Sequence, residues 1–182
     1  HALIGENGSG KSTLTSCLTG IYKKDSGTFI LDGKEVSAAN QVDGNHQGVA
    51  IIVQEIGTLS GLTVAENIFL GNEDQFTKFG IKNTAAMNKK AQEYLDSYGF
   101  NYIDAAKTID DYNFEDRKLI EIVKSTYFNP KILVVDETTT ALGQKGREEL
   151  FKVMHKMRDM GSCVIFISHD LEEVIEQSDQ IS

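Results

Sequence analysis

A glycine-rich turn between an apolar stretch and a helix constrains the fold of this chain more than any other feature. Apolar residues 2–4 run into GENGSGKS at residues 5–12, and residues 13–22 continue with the composition of a helix. Glycine tolerates φ angles that other residues avoid, so such a turn can curl tightly. The pattern predicts a strand that feeds directly into a helix, which is the repeating unit of α/β proteins.

The turn matches Gly-x4-Gly-Lys-Ser, the P-loop pattern, in the strand-to-helix context that the pattern requires. Backbone N–H groups of such a loop point inward, and the N-terminus of the next helix adds positive potential, so the loop favours phosphate. Lys11 would reach the β- and γ-phosphates of a nucleotide, and the Ser12 hydroxyl would bind Mg²⁺. We expect the phosphates to contact Gly5, Glu6, Asn7, Gly8, Ser9, Gly10, Lys11, Ser12 and Thr13.

Further apolar runs alternate with helical segments. Residues 49–53, 132–135 and 164–167 are continuous apolar runs, typical of strands that are buried on both faces of a parallel sheet. Between the last two, apolar residues recur at helical spacing, at Leu150, Val153, Met154 and Met157. This alternation predicts an α/β fold with a mainly parallel sheet.

The middle of the chain has a different character. Thr63 and Glu66 match a capping box, in which each residue caps the start of the same helix. Residues 59–128 are therefore expected to form a mainly helical subdomain. It is inserted between the two parts of a strand-rich core, residues 1–58 and residues 129–182.

Polar residues follow three of the apolar runs, where open α/β sheets bind their ligands. Asp136 would lie near Mg²⁺, and Glu137 would polarise the water that attacks the γ-phosphate. Gln54 could contact both the ion and that water, and His169 could hydrogen-bond the γ-phosphate. Taken alone, Gln54 and His169 would each be interpreted as surface polar residues, and Asp136-Glu137 as the start of the next helix.

Composition excludes several classes of protein. The net charge of −9 opposes broad adhesion to nucleic acid or anionic lipid, and no apolar run approaches the length of about 20 residues that a membrane helix needs. Cys17 and Cys163 lie far apart in apolar surroundings, which argues against a secreted disulfide scaffold. No His/Cys spacing indicates a transition-metal site.

Taken in order, the motifs GENGSGKSTL, VQE, ILVVDE and FISHD resemble those of the ATPase subunit of ABC transporters, over essentially the whole chain. The stretches LTGIYKKDSGT and LTVAENIFLG look most like the first nucleotide-binding half of sugar importers of the ribose, galactose and xylose type. The resemblance implies an α/β P-loop NTPase with a RecA-like core and an inserted helical subdomain, here truncated at both ends. The aromatic residue that stacks on adenine would lie outside the chain.

The same resemblance assigns roles to the polar residues. Gln54 matches the Q-loop glutamine, Asp136 the Walker B aspartate, Glu137 the catalytic glutamate and His169 the switch histidine. Ser12, Gln54 and Asp136 would hold Mg²⁺, with ATP as the nucleotide. The implied partners are a second ATPase domain bound head to tail, membrane permease subunits and, indirectly, an extracytoplasmic sugar-binding protein, with no nucleic acid. The implied location is peripheral, on the cytoplasmic face of the cell membrane.

The stretch that should carry the LSGGQ-like signature departs from the family pattern. This signature slot holds Tyr112, Asn113, Phe114, Glu115 and Asp116. Small residues there normally let the slot approach the γ-phosphate bound to a partner domain, whereas a bulky ring and two carboxylates oppose that approach. The alternative interpretation is that the acidic residues only stabilise the first turn of the helix that follows.

Two further departures follow Walker B. Thr138 stands where proline is usual, and Gly143 stands where the aspartate of the D-loop is usual. The site on this chain's own P-loop therefore looks complete, while its contribution in trans to a partner's nucleotide looks impaired. We infer that the second ATPase domain is a non-identical half.

Four other functions stay open. A nucleoside importer could carry a similar ATPase sequence. A soluble, non-transport ABC ATPase, either regulatory or acting on nucleic acid, is a second alternative, and the acidic charge and the lack of a basic stripe argue against it. A small-molecule P-loop kinase should have an arginine-rich lid, but the only arginines are Arg117, Arg147 and Arg158. A module that binds ATP with little turnover would fit the altered signature, although Glu137 and His169 are present.

Overall fold

The computed structural model describes residues 1–55 and 57–182. In chain order, the helices are α1 (Lys11–Leu18), α2 (Gln41–His46), α3 (Val64–Ile68), α4 (Thr84–Ser97), α5 (Phe114–Thr126), α6 (Gln144–Asp159) and α7 (Leu171–Gln177). The strands are β1 (Phe29–Leu31), β2 (Lys34–Val36), β3 (Val49–Ile52), β4 (Thr77–Lys78), β5 (Ile81–Lys82), β6 (Ile132–Asp136) and β7 (Cys163–Ile167). Short 3₁₀ turns cover Glu73–Phe76, Ile109–Asp111 and Thr138–Ala141.

The central sheet is parallel, as predicted from the apolar runs. Its strand order is β3-β6-β7. Every residue of β3 is buried, because helices cover both faces of a parallel sheet. Residues 2–4 extend the sheet beyond β7. The Leu3 N–H donates to the Phe166 carbonyl at 2.9 Å, and the Ala2 N–H donates to the Gln180 carbonyl at 2.8 Å. The first residues of the chain therefore enter the P-loop directly from the sheet.

Helix α1 differs from the predicted segment at both ends. It begins at Lys11, inside the P-loop motif, and ends at Leu18 rather than near Tyr22. Gly20 explains the early end, because its φ of +77° belongs to the left-handed region that stops a helix. A side chain at Gly20 would also approach Ala38 and the Asn40 carbonyl to 2.8 Å.

Residues 59–128 contain α3, α4 and α5, which agrees with the predicted helical character, and the capping box of Thr63 and Glu66 is present at α3. The small hairpin β4-β5 in this segment was not predicted, because two residues per strand are too few to show a period. Its helices share one hydrophobic cluster with the sheet, in which Met87 and Leu95 belong to the same core as Leu133. The division of the chain into two lobes stays a prediction.

Candidate functional site

The glycine-rich loop leads into α1 through Gly10, whose φ of +97° is one that glycine adopts readily. The Lys11 ammonium donates to the carbonyl oxygens of Gly5 at 2.8 Å and Glu6 at 3.2 Å, so its side chain folds back over the loop. Among the described residues, no side chain caps α1, and its first turn carries no acidic residue. The first N–H groups of this helix are therefore suited to an anion.

Two oxygen groups meet beside the loop. The Ser12 hydroxyl donates to Oδ1 of Asp136 at 3.1 Å, which joins the start of α1 to the end of β6. Asp136 is only 8% exposed, and this burial raises its pKa, while the hydrogen bond from Ser12 opposes the rise. A buried carboxylate next to a hydroxyl fits Mg²⁺, which prefers oxygen ligands.

A second pair lies at the same edge of the sheet. Nε2 of His169, which follows β7, lies 2.8 Å from Oε1 of Glu137, which follows β6. The Glu137 N–H donates to the Ile167 carbonyl at 2.9 Å, so the backbones are also joined. Glu137 has a φ of +47° and a ψ of +24°, a left-handed conformation that is strained for a residue with a side chain. This strained turn supports the proposed catalytic role of the carboxylate.

Gln54 follows β3 and is joined to the same region through Thr140, a residue that no sequence motif singles out. Nε2 of Gln54 donates to the Thr140 hydroxyl at 3.4 Å, and that hydroxyl donates to the Glu137 carbonyl at 2.7 Å. Thr138, in the position where proline is usual, is buried and donates to the Ile52 carbonyl at 3.3 Å. The residues predicted at the ends of the three strands thus lie at one edge of the sheet, beside the P-loop.

In the described part of the chain, no cluster of three or more His, Cys, Asp or Glu side chains could hold a metal ion. A magnesium ion at this site would therefore depend on mixed oxygen ligands. These are the Ser12 hydroxyl, the Asp136 carboxylate, the Gln54 amide and phosphate oxygens.

The signature slot forms the start of α5. Oδ1 of Asn113, the N-cap of this helix, accepts from the Asp116 N–H at 2.9 Å. The Asp116 carboxylate accepts from the Tyr102 hydroxyl at 3.1 Å, and the Tyr112 hydroxyl accepts from the Asp104 N–H at 2.7 Å. These polar side chains of the slot therefore bind groups of their own chain.

The side chain of Glu115 contacts a different helix, α6. Its Oε1 accepts a hydrogen bond from the Gly146 N–H at 3.0 Å, in the first turn of α6. Gly143, the N-cap residue of α6, has no side chain to make that bond. The carboxylate therefore caps α6. The predicted alternative was that Glu115 only stabilises the first turn of its own helix. Phe114, beside it in the slot, is 52% exposed.

A loop of the P-loop pattern, the adjoining Ser12 and Asp136 oxygens and a glutamate–histidine pair at the carboxyl edge of a parallel sheet define a P-loop NTPase fold. The model of the ABC transporter family matches residues 1–140, and the chain belongs to that family. In the part of the chain that the structure describes, no helix is long and apolar enough to cross a membrane.

Known proteins resemble the chain over nearly all of its length. It is 42% identical to the ribose import ATP-binding protein RbsA of Bacillus cereus over 182 residues, which is 100% of this chain and 36% of that protein. It is 40% identical to RbsA of Clostridium perfringens, over 96% of this chain and 35% of that protein. The chain therefore spans about one third of the length of these relatives.

Solved structures support the fold. The ADP conformation of an ATP-binding cassette of an ABC transporter superposes with a TM-score of 0.77 at 25% identity, covering 99% of this chain and 74% of that one. CbiO1 of Clostridium perfringens, part of an ABC transporter complex, superposes with a TM-score of 0.74 at 25% identity, covering 99% and 70%. The predicted α/β P-loop NTPase fold is confirmed.

Proposed function

We propose that the chain binds and hydrolyses ATP to power import of a sugar by an ABC transporter. The observation that carries the proposal is the pairing of Glu137 with His169 at 2.8 Å, at the sheet edge that also holds Ser12 and Asp136. A carboxylate oriented by an imidazole, beside a loop suited to phosphate, is the arrangement that hydrolysis of a phosphoanhydride needs.

ATP binding uses the loop and the start of α1. Lys11 exchanges its contacts with the loop carbonyls for β- and γ-phosphate oxygens, and the first N–H groups of α1 bind the phosphates. Ser12, Asp136 and Gln54 would hold Mg²⁺, which supplies charge neutralisation for the β- and γ-phosphates when it is bound.

Hydrolysis uses the glutamate–histidine pair. Glu137 accepts a proton from the attacking water while the water oxygen bonds to the γ-phosphorus, and the bond to the β–γ bridging oxygen breaks to release ADP. In the structure described, His169 holds the Glu137 carboxylate through Nε2. When ATP is bound, this N–H would exchange the carboxylate for a γ-phosphate oxygen. Gln54, joined to this turn through Thr140, positions the water.

The relatives named as ribose import ATP-binding proteins support a sugar as the transported substrate. The partners are a second, non-identical ATPase domain bound head to tail, membrane permease subunits and an extracytoplasmic sugar-binding protein that acts indirectly. The chain works on the cytoplasmic face of the membrane. Uptake of labelled ribose and of a labelled nucleoside by the reconstituted transporter distinguishes this proposal from a nucleoside importer.

The first experiment is thermal unfolding of this chain with Mg-ATP, with ATP and a chelator, and with the Lys11→Ala variant. ATP at 100 times its Kd stabilises a protein by about 2.7 kcal/mol. We expect a rise in Tm that is largest with Mg²⁺ and is lost in Lys11→Ala. An equal rise in Lys11→Ala would contradict the P-loop assignment. In the assembled transporter, Glu137→Gln should keep ATP binding and lower kcat about 10²- to 10⁴-fold.

A further inference from the structure

A buried lysine on α5 binds the backbone beside Gln54. Lys118 is 0% exposed, and its ammonium donates to the carbonyl oxygens of Val53 and Glu55, the latter at 2.8 Å. Its third contact is Oε2 of Glu121, at 3.1 Å. An ammonium has three N–H donors, so these acceptors account for all of them.

The two carbonyl acceptors lie on either side of one residue. Val53 and Glu55 are the immediate neighbours of Gln54 in the chain. Glu121 extends the attachment, because its Oε2 also accepts from the Gly57 N–H at 3.0 Å. We call Lys118 and Glu121 the clamp, since together they hold the backbone before and after Gln54 to a single helix.

Removing the two charges of the clamp from water costs free energy. Burial lowers the pKa of Lys118 and raises the pKa of Glu121, which means that removal from water opposes the charged form of each group. Apolar residues of similar volume often stabilise a core as much as a buried ion pair does, or more. Core stability alone therefore gives little reason to place these two charges here.

The side chain of Gln54 depends on its backbone for its position. It is exposed, and its hydrogen bond to the Thr140 hydroxyl is long, at 3.4 Å. The backbone on both sides of it must be held if its amide is to meet an ion and a water molecule at a defined point. The two carbonyl contacts of Lys118 supply that restraint.

We propose that Lys118, supported by Glu121, is a positioning residue that sets the Gln54 amide for Mg-ATP. This inference rests on the proposed function, in which Gln54 binds Mg²⁺. The clamp acts through the backbone of Gln54 and does not itself touch the nucleotide. It also makes α5 the element that joins Gln54 to the signature slot, since the slot begins the same helix.

The test replaces both charges at once, as Lys118→Met with Glu121→Leu, so that no single charge is left buried. The Kd for ATP is measured on this chain with Mg²⁺ and with a chelator, beside wild type and Gln54→Ala. Loss of an outer partner of a metal ligand typically weakens binding about 10- to 100-fold. We expect the gain in ATP affinity from Mg²⁺ to fall about tenfold or more, with the Mg-free Kd unchanged within about twofold.

The matched control is Lys124→Met, which changes a partly buried lysine of the same helix and should leave the gain from Mg²⁺ intact. In the Gln54→Ala background, the clamp variant should cause no further loss. An unchanged gain in the clamp variant, or a further loss in that background, would overturn the inference. If Gln54→Ala keeps the full gain from Mg²⁺, the proposed role of Gln54 is wrong and the inference fails with it.

Discussion

The Glu115 carboxylate of α5 accepts a hydrogen bond from the backbone N–H of Gly146 in α6, at 3.0 Å. The first N–H groups of a helix have no partner within it, and a carboxylate there gains both a hydrogen bond and a favourable dipole interaction. Gly143 cannot supply that carboxylate at the N-cap. Two departures from the family pattern, an acid in the signature slot and a glycine in the D-loop, therefore complement each other in one contact.

Removing the carboxylate should destabilise the chain, and a local cap should restore part of the lost stability. Glu115→Ala should lower the free energy of unfolding by about 1 kcal/mol, the usual cost of losing a helix cap. Gly143→Ser should recover a few tenths of a kcal/mol of that loss in the Glu115→Ala background, the usual advantage of serine over glycine at an N-cap, and change wild type less. The backbone of Gly143 is extended, and an added Cβ would lie 3.5 Å from Glu115, so serine fits. Urea unfolding of the four proteins measures the coupling, and additive effects would contradict the cap.

The effect of Gly146→Ala on stability should depend on the residue at position 115. A Cβ at Gly146 would lie 2.4 Å from Oε1 of Glu115, so alanine should destabilise wild type by displacing the carboxylate. In the Glu115→Ala background, only Leu142 Cδ2 lies close to that Cβ, at 3.0 Å. The same change should therefore be at least about 1 kcal/mol less unfavourable there, because alanine is also the better helix former by about that amount. Urea unfolding of the single and double variants measures both effects. An equal effect in both backgrounds would show that the carboxylate does not occupy this space.

The strained conformation of Glu137 should be detectable as a difference in the free energy of unfolding between two variants. Glu137→Gly and Glu137→Ala remove the same contact with His169, but only glycine adopts a φ of +47° without strain. We expect Glu137→Gly to be more stable than Glu137→Ala by about 1 kcal/mol, the usual cost of a left-handed residue. Chemical denaturation of the pair measures the difference. Equal stabilities would mean that the turn relaxes and stores no strain.

Glu66 should make part of the stability depend on pH. The hydrogen bond from the Thr63 N–H is the main cause that holds the pKa of Glu66 below its ordinary value of 4.5. A carboxyl whose pKa is lower in the folded state stabilises the fold above its unfolded pKa. That contribution is lost as the pH falls through the lowered value.

Glutamine keeps the cap without the charge, so wild type should exceed Glu66→Gln in free energy of unfolding at pH 7. The difference should shrink steadily as the pH falls below 4.5. Urea midpoints of both proteins from about pH 7 to pH 3 measure this trend. A difference that is constant with pH would contradict it.

Features with a local physical cause could be predicted from residue order. A loop that binds phosphate needs glycines, a lysine and a hydroxyl within a few residues, and those stand together at residues 5–12. The capping box of Thr63 and Glu66 is equally local. Even the meeting of Gln54, Asp136 and His169 follows from a general rule, because the carboxyl ends of neighbouring parallel strands share one edge of the sheet.

The partners of Glu115 and Lys118 follow no such rule. Glu115 binds a backbone group 31 residues away, and Lys118 binds carbonyls 63 and 65 residues away. Charged residues near the start of a helix are normally solvated, so their order in the chain indicates exposure. Their contacts depend on which helix or loop packs against α5, and that is set by the whole core acting together. The phosphate site can therefore be recognised from the chain, whereas the attachments of α5 to the Gln54 segment and to α6 exist only once the elements have packed.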